Sequence, residues 1–262
     1  MKKLIETIQN IFKIEELRNR LLTTFLFVVI YRLGSYIVLP GVNVQVLQEL
    51  GSSANSGLMM LLDMFSGGAF SNASVFALGI MPYITASIVV QLLGMAIPYF
   101  QKLQREGESG RRKMDQITRY LTVLLLLFQG PAYLLSLKYQ VGPALPEGNF
   151  FMITSTLILA AGSMFVLWLG ERITDKGIGN GVSFIILVGI IARFPRSLMG
   201  EFMSRLNEST GGLVMFLAEI VFLLLVIAAS ILLVQGTRKV PVQYAKRIVG
   251  NQQYGGVRQY IP

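Results

Sequence analysis

The sequence predicts an all-α integral membrane protein, a helical bundle that crosses the bilayer several times. Of its 262 residues, 53% are hydrophobic and 14% are charged, and the mean hydropathy is +0.59. Several apolar runs reach the length of about 20 residues that a helix needs to cross a bilayer core of about 30 Å. No run alternates apolar with polar residues as the strands of a membrane barrel do. The composition therefore excludes a water-soluble monomer.

Six apolar runs are predicted to span the membrane. They cover residues 21–39, 74–97, 120–137, 150–170, 181–194 and 213–235. The first run contains only Arg32 as a charge, the second contains none, and the last contains Glu219 near one end. We divide the chain into an interfacial helix over residues 1–20, five spans within residues 21–208, and the sixth span with a cytoplasmic loop over residues 209–262.

The positive charges indicate the orientation. With the N-terminus in the cytoplasm and six crossings, 18 of the 23 Lys and Arg residues fall on the cytoplasmic side. This asymmetry is typical of membrane proteins and supports both the count and the direction. Apolar residues recur at helical spacing within residues 1–20, which predicts an amphipathic helix at the interface. A signal peptide is disfavoured, because the first long apolar run starts late and lacks a small-x-small cleavage pattern.

The residue types exclude most enzyme classes. The chain has no Cys and no His, so it lacks disulfides, Cys or His metal sites, and thiol or imidazole catalysts. Gly177, Gly179 and Gly181 follow a G-x-G-x-G spacing without a preceding strand, and no Walker lysine is present, so a nucleotide-binding loop is not indicated. We predict that the protein is not an enzyme and needs no cofactor.

One apolar stretch does not fit a plain bundle. Residues 64–101 carry no charge, which is too long for one span and too short for two. The Ser-Gly-Gly at 66–68 divides it into a half-helix over residues 58–70, which enters the membrane without crossing, and a span from Ser74. The half-helix contains Asp63, a charge tolerated at membrane depth only within protein or beside a water-filled cavity. A helix resting on the outer membrane surface explains the same spacing.

The second span carries two pairs of residues at helical spacing. Ile80 and Ile84 share one helix face, and Pro82 is predicted to bend the helix between them. Spacing alone favours lipid-facing or packed isoleucines. Ser87 and Gln91 follow on the same helix, and an amide in hydrocarbon needs a partner, most simply on another helix.

Ordered sequence blocks along nearly the whole chain carry a specific resemblance. The chain resembles the N-terminal part of the SecY family, the pore-forming subunits of the Sec protein-conducting channel. The blocks are RLGS at 32–35 with LPG at 39–41, MFSGGA at 64–69, FALGIMPYI at 76–84, EGESGRRK at 106–113, WLGE at 168–171, GIGNG at 177–181 and YAKR at 244–247.

The resemblance implies an inverted-repeat channel and a role for particular residues. The half-helix becomes a plug that seals the outer funnel, Ile80, Ile84 and Ile186 become the pore ring, and Ser87 and Gln91 line a lateral gate. The plug residues implied are Leu58, Leu61, Leu62, Asp63, Met64, Phe65, Ser66, Gly67, Gly68 and Phe70. The cytoplasmic residues implied to face the ribosome or the SecA motor are Arg105, Arg111, Arg112, Lys113, Lys239, Lys246, Arg247 and Arg258.

The resemblance also implies partners and a location. The partners are SecE- and SecG-like small membrane subunits, the SecA ATPase, the ribosome with its RNA, anionic lipid, and a secretory polypeptide as substrate. The location is the bacterial inner membrane. Family members usually have ten spans, so this chain is expected to be an N-terminal fragment that does not translocate alone. The loop tip at 250–253 reads GNQQ, where many relatives carry adjacent arginines.

Two alternatives remain open from the sequence. A secondary transporter would bind a solute at the broken helix while inverted repeats rock around it, with Asp63, Arg32 and Glu219 as coupling charges. A fragment that serves only as a folding or insertion intermediate fits the length as well.

Overall fold

The structure is a computed structural model that describes residues 13–43, 63–141, 145–146, 148–207, 212–236, 240–243, 247–249, 252–254 and 258–261. The chain divides into two compact units, Met1–Pro195 and Arg196–Pro262. The division lies at Pro195 instead of the predicted 208, because the end of the helix that contains Pro195 packs within the second unit. There, the rings of Phe202 and Phe216 lie 5.3 Å apart between centroids.

Seven helices are described. They are α1 (Glu15–Gly34), α2 (Met81–Ala96), α3 (Pro98–Arg105), α4 (Glu108–Val141), α5 (Asn149–Lys176), α6 (Gly181–Asn207) and α7 (Gly212–Gln235). By length and composition, α4 to α7 can each cross a membrane, and α2 and α3 add a fifth crossing if the bent pair is one span. The prediction of six spans counted α1 as well. Five of the 20 residues of α1 are charged, and by the same measure of length and composition α1 is not among the helices that can cross a membrane.

The second predicted span starts later than expected. Its helix begins at Met81 instead of Ser74, because residues 66–80 form turns and, at Ser74, a β-bridge. Pro82 lies in the first helical turn, where its missing N–H costs nothing, so it starts α2 and does not bend it as predicted. The bend lies at Ile97, whose backbone is extended before Pro98, and α2 and α3 meet there at 99°.

Other helix ends also differ from the apolar runs. The first span was predicted over 21–39, whereas α1 begins at Glu15 and ends at Gly34. The run predicted over 120–137 lies inside α4, which has 34 residues and is therefore about 51 Å long at about 1.5 Å per residue. The spans predicted over 150–170 and 181–194 extend to Lys176 and Asn207. Helices continue into water on charged residues, which hydropathy does not register.

The first unit contains two apolar clusters that share one segment of the chain. In this unit α5 packs against α1 and α4, and α2 packs against α4. One cluster joins Ala73 and Ala77 to α4 and α5, and the other joins Ala69 and Phe76 to α1, α5 and α6. Residues 63–79, which we name the turn segment, therefore lie between all of these helices.

The described part of the loop after α7 forms two β-ladders that the sequence analysis did not predict. Strand β1 (Val240–Gln243) pairs antiparallel with β4 (Arg258–Ile261), and β2 (Arg247–Val249) pairs antiparallel with β3 (Gln252–Tyr254). In register, Gln243 lies opposite Arg258 and Arg247 lies opposite Tyr254.

Candidate functional site

Residues 63–70, the first part of the turn segment, are the described part of the predicted plug half-helix. Residues 63–65 are helical and the chain turns from Ser66, so the half-helix ends five residues before the predicted end at Phe70. The reason is the backbone of Gly67 and Gly68, whose φ angles of 64° and 96° leave the right-handed helical region. Leu58, Leu61 and Leu62 lie outside the described residues.

Three side chains from neighbouring helices hold the turn segment by its backbone carbonyls. The Tyr31 hydroxyl donates to the carbonyl of Ser66 at 3.3 Å, and the Arg32 Nη1 donates to that of Gly67 at 3.0 Å. On the other side, the Tyr133 hydroxyl of α4 donates to the carbonyl of Phe70 at 2.8 Å. A buried carbonyl needs such a partner, because leaving it unpaired costs free energy.

The chain after α1 also pairs with the turn segment. The Leu39 N–H donates to the Ala73 carbonyl and the Val75 N–H donates to the Ile37 carbonyl, each at 2.9 Å. An isolated β-bridge joins Val38 to Ser74 at this point. The turn segment is thus fixed by main-chain hydrogen bonds as well as by side chains.

A charged group completes the attachment. The carboxylate of Asp63 accepts the Ser71 N–H at 2.8 Å and forms an ion pair with the Arg193 guanidinium of α6. The Arg193 Nη2 also donates to the Ser71 hydroxyl at 2.9 Å. Because Asp63 is only 8% exposed, its charge is compensated by these partners inside the protein and not by water.

The three predicted pore-ring residues meet in one apolar cluster. Ile80 is buried in it with Ala69 of the turn segment, and Ile84 and Ile186 are partly buried against it. The Ile84 N–H donates to the Ile80 carbonyl at 3.1 Å, so both residues lie on consecutive turns of one helical path. Four elements contribute to this cluster besides α2: α1, the turn segment, α5 and α6.

The two predicted gate residues line a polar cavity. The Gln91 amide donates to the Ser87 hydroxyl at 3.2 Å. This partner lies on the same helix, whereas a partner on another helix was predicted. Both residues face a cavity of about 780 Å³ together with Tyr83, Gln104 and Asp115. They also line a smaller space of about 270 Å³ that reaches Asn180 at the start of α6.

The predicted cytoplasmic cations are exposed where the structure describes their side chains. Arg105 lies at the end of α3, and Arg111, Arg112 and Lys113 lie in the first turns of α4. Glu108 pairs with Arg112 at 2.7 Å, whereas Lys113 and Glu106 lie 3.8 Å apart. Lys239 and Lys246 lie outside the described residues, and the strands β2 and β4 begin at Arg247 and Arg258.

The charges that the transporter alternative requires are each engaged locally. Asp63 pairs with Arg193, and Glu219 pairs with Arg205 at 2.8 Å. Arg32 bonds the Gly67 carbonyl and the Tyr36 hydroxyl. Within the described ranges, no three acidic side chains gather as a metal site would require.

Four residues that contact the turn segment were not predicted from the sequence: Tyr31, Tyr133, Gly189 and Arg193. Arg193 carried a usable signal, because an arginine in an apolar run needs a partner and Asp63 was one of the two acidic residues assigned to the membrane. Tyr31 and Tyr133 carried none, since a tyrosine in an apolar helix is usually core.

Comparison with known proteins identifies the relatives of this chain. The family model described as SecY matches residues 74–262. A protein translocase subunit SecY of Streptomyces scabiei is 42% identical over 262 residues, which cover 96% of this chain and 60% of that protein. The subunit of the same name from Thermotoga maritima is 40% identical over 98% of this chain and 60% of its own length.

A solved structure shares the fold. It is titled "The structure of a protein conducting channel", and the match has a TM-score of 0.56 at 18% identity over 93% of this chain and 52% of that chain. The chain thus spans about 60% of the length of the curated relatives and about half of this solved structure.

Proposed function

Because the chain belongs to the SecY family, we propose that it forms the N-terminal part of the pore of a protein-conducting channel. The observation that carries this proposal is the convergence of Ile80, Ile84 and Ile186 on one apolar cluster that also contains Ala69 of the turn segment. Branched apolar side chains gathered at one level suit a channel seal, since such a constriction excludes water when it is empty. They also fit around a passing polypeptide without hydrogen-bonding it.

In this proposal the plug is the predicted half-helix, of which the turn segment contributes residues 63–70. It rests against the isoleucine cluster and is held there by bonds to α1, α4 and α6. Opening moves the segment away and leaves the isoleucines as the lining of a passage for unfolded secretory polypeptides. The relatives are longer than this chain, and we propose that a C-terminal portion like theirs supplies the remaining wall of the pore.

Ser87 and Gln91 are proposed to lie at the lateral gate, through which transmembrane segments pass sideways into lipid. The polar cavity that they line supports this role, because it gives their polar groups an aqueous environment in the closed state. When the helices at the gate separate, lipid or a signal sequence replaces that environment. The polarity of these two side chains therefore affects the free energy of opening.

The exposed cations of α3 and α4 are proposed to contact the ribosome, including its RNA, or the SecA motor. Arg105 and Arg111 have no ion pair among the described residues, so no acidic neighbour competes with an anionic partner for them. SecE- and SecG-like subunits and anionic lipid are the other partners. We place the protein in the bacterial inner membrane with a cytoplasmic N-terminus. Energy comes from chain elongation or the partner ATPase, and the chain itself performs no catalysis.

A site-specific crosslink tests the pore assignment. A photoreactive amino acid replaces Ile84, this chain is assembled with the C-terminal portion of a relative, and a stalled secretory chain is presented. The matched control places the same probe at Val89, an exposed position on the same helix. We expect a crosslink from position 84, only in the completed channel, and none from position 89. Equal crosslinking from both positions, or none from 84 in an assembled complex, overturns the proposal.

A further inference from the structure

One face of α6 contacts the turn segment at three successive helical turns. Ile185, Gly189 and Arg193 are four residues apart and therefore lie on the same face. Ile185 is buried in the cluster with Ala69, Gly189 contacts the backbone of the turn segment, and Arg193 pairs with Asp63. The contact thus changes from apolar to charged along the helix.

The middle turn is a backbone-to-backbone contact. A Cβ added to Gly189 would lie 2.9 Å from the Phe65 carbonyl oxygen, and one added to Gly67 would lie 2.9 Å from the Cα of Gly189. Both distances are shorter than real Cβ contacts, so neither position has room for a side chain. This close approach fixes the distance at which Arg193 meets the segment.

The guanidinium of Arg193 lies against the backbone of the next glycine. A Cβ added to Gly68 would lie 2.5 Å from Nη2 and 2.7 Å from Nε of Arg193. From this position Arg193 reaches both Asp63 and the Ser71 hydroxyl, which are eight residues apart in sequence. The Asp63 carboxylate in turn accepts the Ser71 N–H, so the three groups close a ring around the glycine turn.

The two charges differ in their access to water. The side chain of Asp63 is 11% exposed, whereas that of Arg193 is 40% exposed. A pair of this kind is held more strongly than one on an open surface, yet the guanidinium can be rehydrated without being carried through hydrocarbon. The bond is therefore suited to breaking and reforming.

We propose that Arg193 is a positioning residue that latches the turn segment to α6 through Asp63 and Ser71. The inference rests on the proposed function and deepens it, because it names the bond that must break before the plug leaves the pore. Without the latch, the segment remains attached to α1 and α4 through Tyr31, Arg32 and Tyr133, but it loses its polar bonds to α6.

The absence of cysteine allows a direct test of attachment. Ser66→Cys places a single thiol at a buried position of the turn segment when the channel is completed by a cysteine-free C-terminal portion of a relative. In that background, Arg193→Gln and Asp63→Asn are each expected to speed labelling by a membrane-impermeant maleimide about tenfold, since the pair lies between the surface and buried cases. The matched control is Glu108→Gln, which breaks the exposed pair with Arg112 and leaves the rate unchanged.

The double variant separates a latch from a general loss of structure. If the two residues act through each other, Arg193→Gln with Asp63→Asn labels no faster than either single variant. Arg193→Lys keeps the charge but cannot reach two acceptors at once, so it restores part of the slow labelling. Multiplying effects in the double variant, or labelling unchanged in both singles, overturns the latch.

An ion-leak measurement on the same channels tests the proposed function separately. Ile84→Ser is expected to leak because it opens the seal itself, and Arg193→Gln is expected to leak because its plug is detached more often. If Ile84→Ser leaks while labelling of the Arg193 variant stays slow, the latch is wrong and the pore assignment stands. If labelling accelerates but neither variant leaks, the segment is latched and its role as a plug in a pore is wrong.

Discussion

Helices α5 and α7 are both long, apolar and free of charge in their central parts, yet they differ in how much of their surface is buried against other residues. In α5, 39% of the most apolar stretch is buried, and in α7 the corresponding value is 0%. The buried residues of α5 recur every three or four positions from Ser155 to Ile173. In α7 the only buried residue is Gly212, at its first position.

The difference lies in small and polar residues, not in apolarity. The buried face of α5 includes Ser155, Gly162, Ser163 and Gly170, which let neighbouring backbones come close. Most of α7 is large and aliphatic, and it is the more apolar of the two helices. Of these two helices, the more apolar one is thus the less packed, which is possible in a membrane because lipid solvates an apolar helix as well as protein does.

The largest expected effect comes from filling the closest approach of α5. A Cβ at Gly162 would lie 2.2 Å from the Val75 carbonyl oxygen, which is backbone and cannot rotate away. Gly162→Ala is expected to lower the free energy of unfolding by about 3 kcal/mol, near the upper end for overpacking. Ala229→Leu in α7 adds a larger group to an exposed site and should change it by less than about 0.5 kcal/mol.

The midpoint of detergent-induced unfolding, followed by circular dichroism in mixed micelles, measures both variants. Similar midpoint shifts for Gly162→Ala and Ala229→Leu would break the comparison between the helices.

A smaller effect is expected from emptying a packed position. Leu159 of α5 is fully buried, whereas Leu224 of α7 is mostly exposed. Leu159→Ala should lower the free energy of unfolding by about 2 kcal/mol. Most of this is the cost of the cavity, because moving a leucine side chain from lipid into protein gains little free energy. Leu224→Ala should cost less than about 0.5 kcal/mol in the same assay. A larger cost at Leu224 would mean that α7 is packed in the purified chain.

On α4, the same contrast between buried and exposed positions should apply to a hydrogen bond. Tyr133→Phe removes the bond to the Phe70 carbonyl and leaves that acceptor without this donor, at a cost of about 1 kcal/mol. Tyr139→Phe, on the exposed part of the same helix, should have no measurable effect. The two midpoints, compared with the unmodified chain, check this. Equal shifts would show that the carbonyl finds another donor.

The smallest effect is expected from a partly exposed ion pair between α4 and α5. The pair between Arg119 and Glu171 is 2.7 Å long, but both side chains are partly exposed. Arg119→Gln should cost less than about 0.5 kcal/mol, and the difference should disappear at high salt. A cost that persists in about 1 M salt would place this pair among the packed contacts.

Most of the helices could be predicted from apolar runs, and the most lipid-like run gave the best bounds. The prediction of 213–235 for α7 agrees with Gly212–Gln235 within one residue. The prediction for α4 missed 12 residues at its start, because charged residues can continue a helix into water. Hydropathy indicates which part of the chain lies in lipid. It therefore gives the ends of a helix only where the helix ends at the membrane surface.

The turn segment shows where the pattern fails. An uncharged, apolar stretch fits a buried helix and a buried turn equally well, so the start of α2 was placed seven residues too early. The isoleucine cluster was expected only from the resemblance to known channels, since spacing favoured lipid. The pair between Asp63 and Arg193 joins positions 130 residues apart, and only the packing of α6 on the turn segment brings them together.

The anchors of the turn segment have a consequence for how its sequence can change. Tyr31, Arg32 and Tyr133 all bind carbonyls of the main chain, and a carbonyl is present whatever residue occupies the position. Substitutions at exposed positions such as Met64 and Phe65 leave these bonds intact. Mutation can therefore vary the exposed surface of the segment while the surrounding helices keep it in place. Asp63 and Ser71 differ, because their side chains bond Arg193 and cannot change without a matching change there.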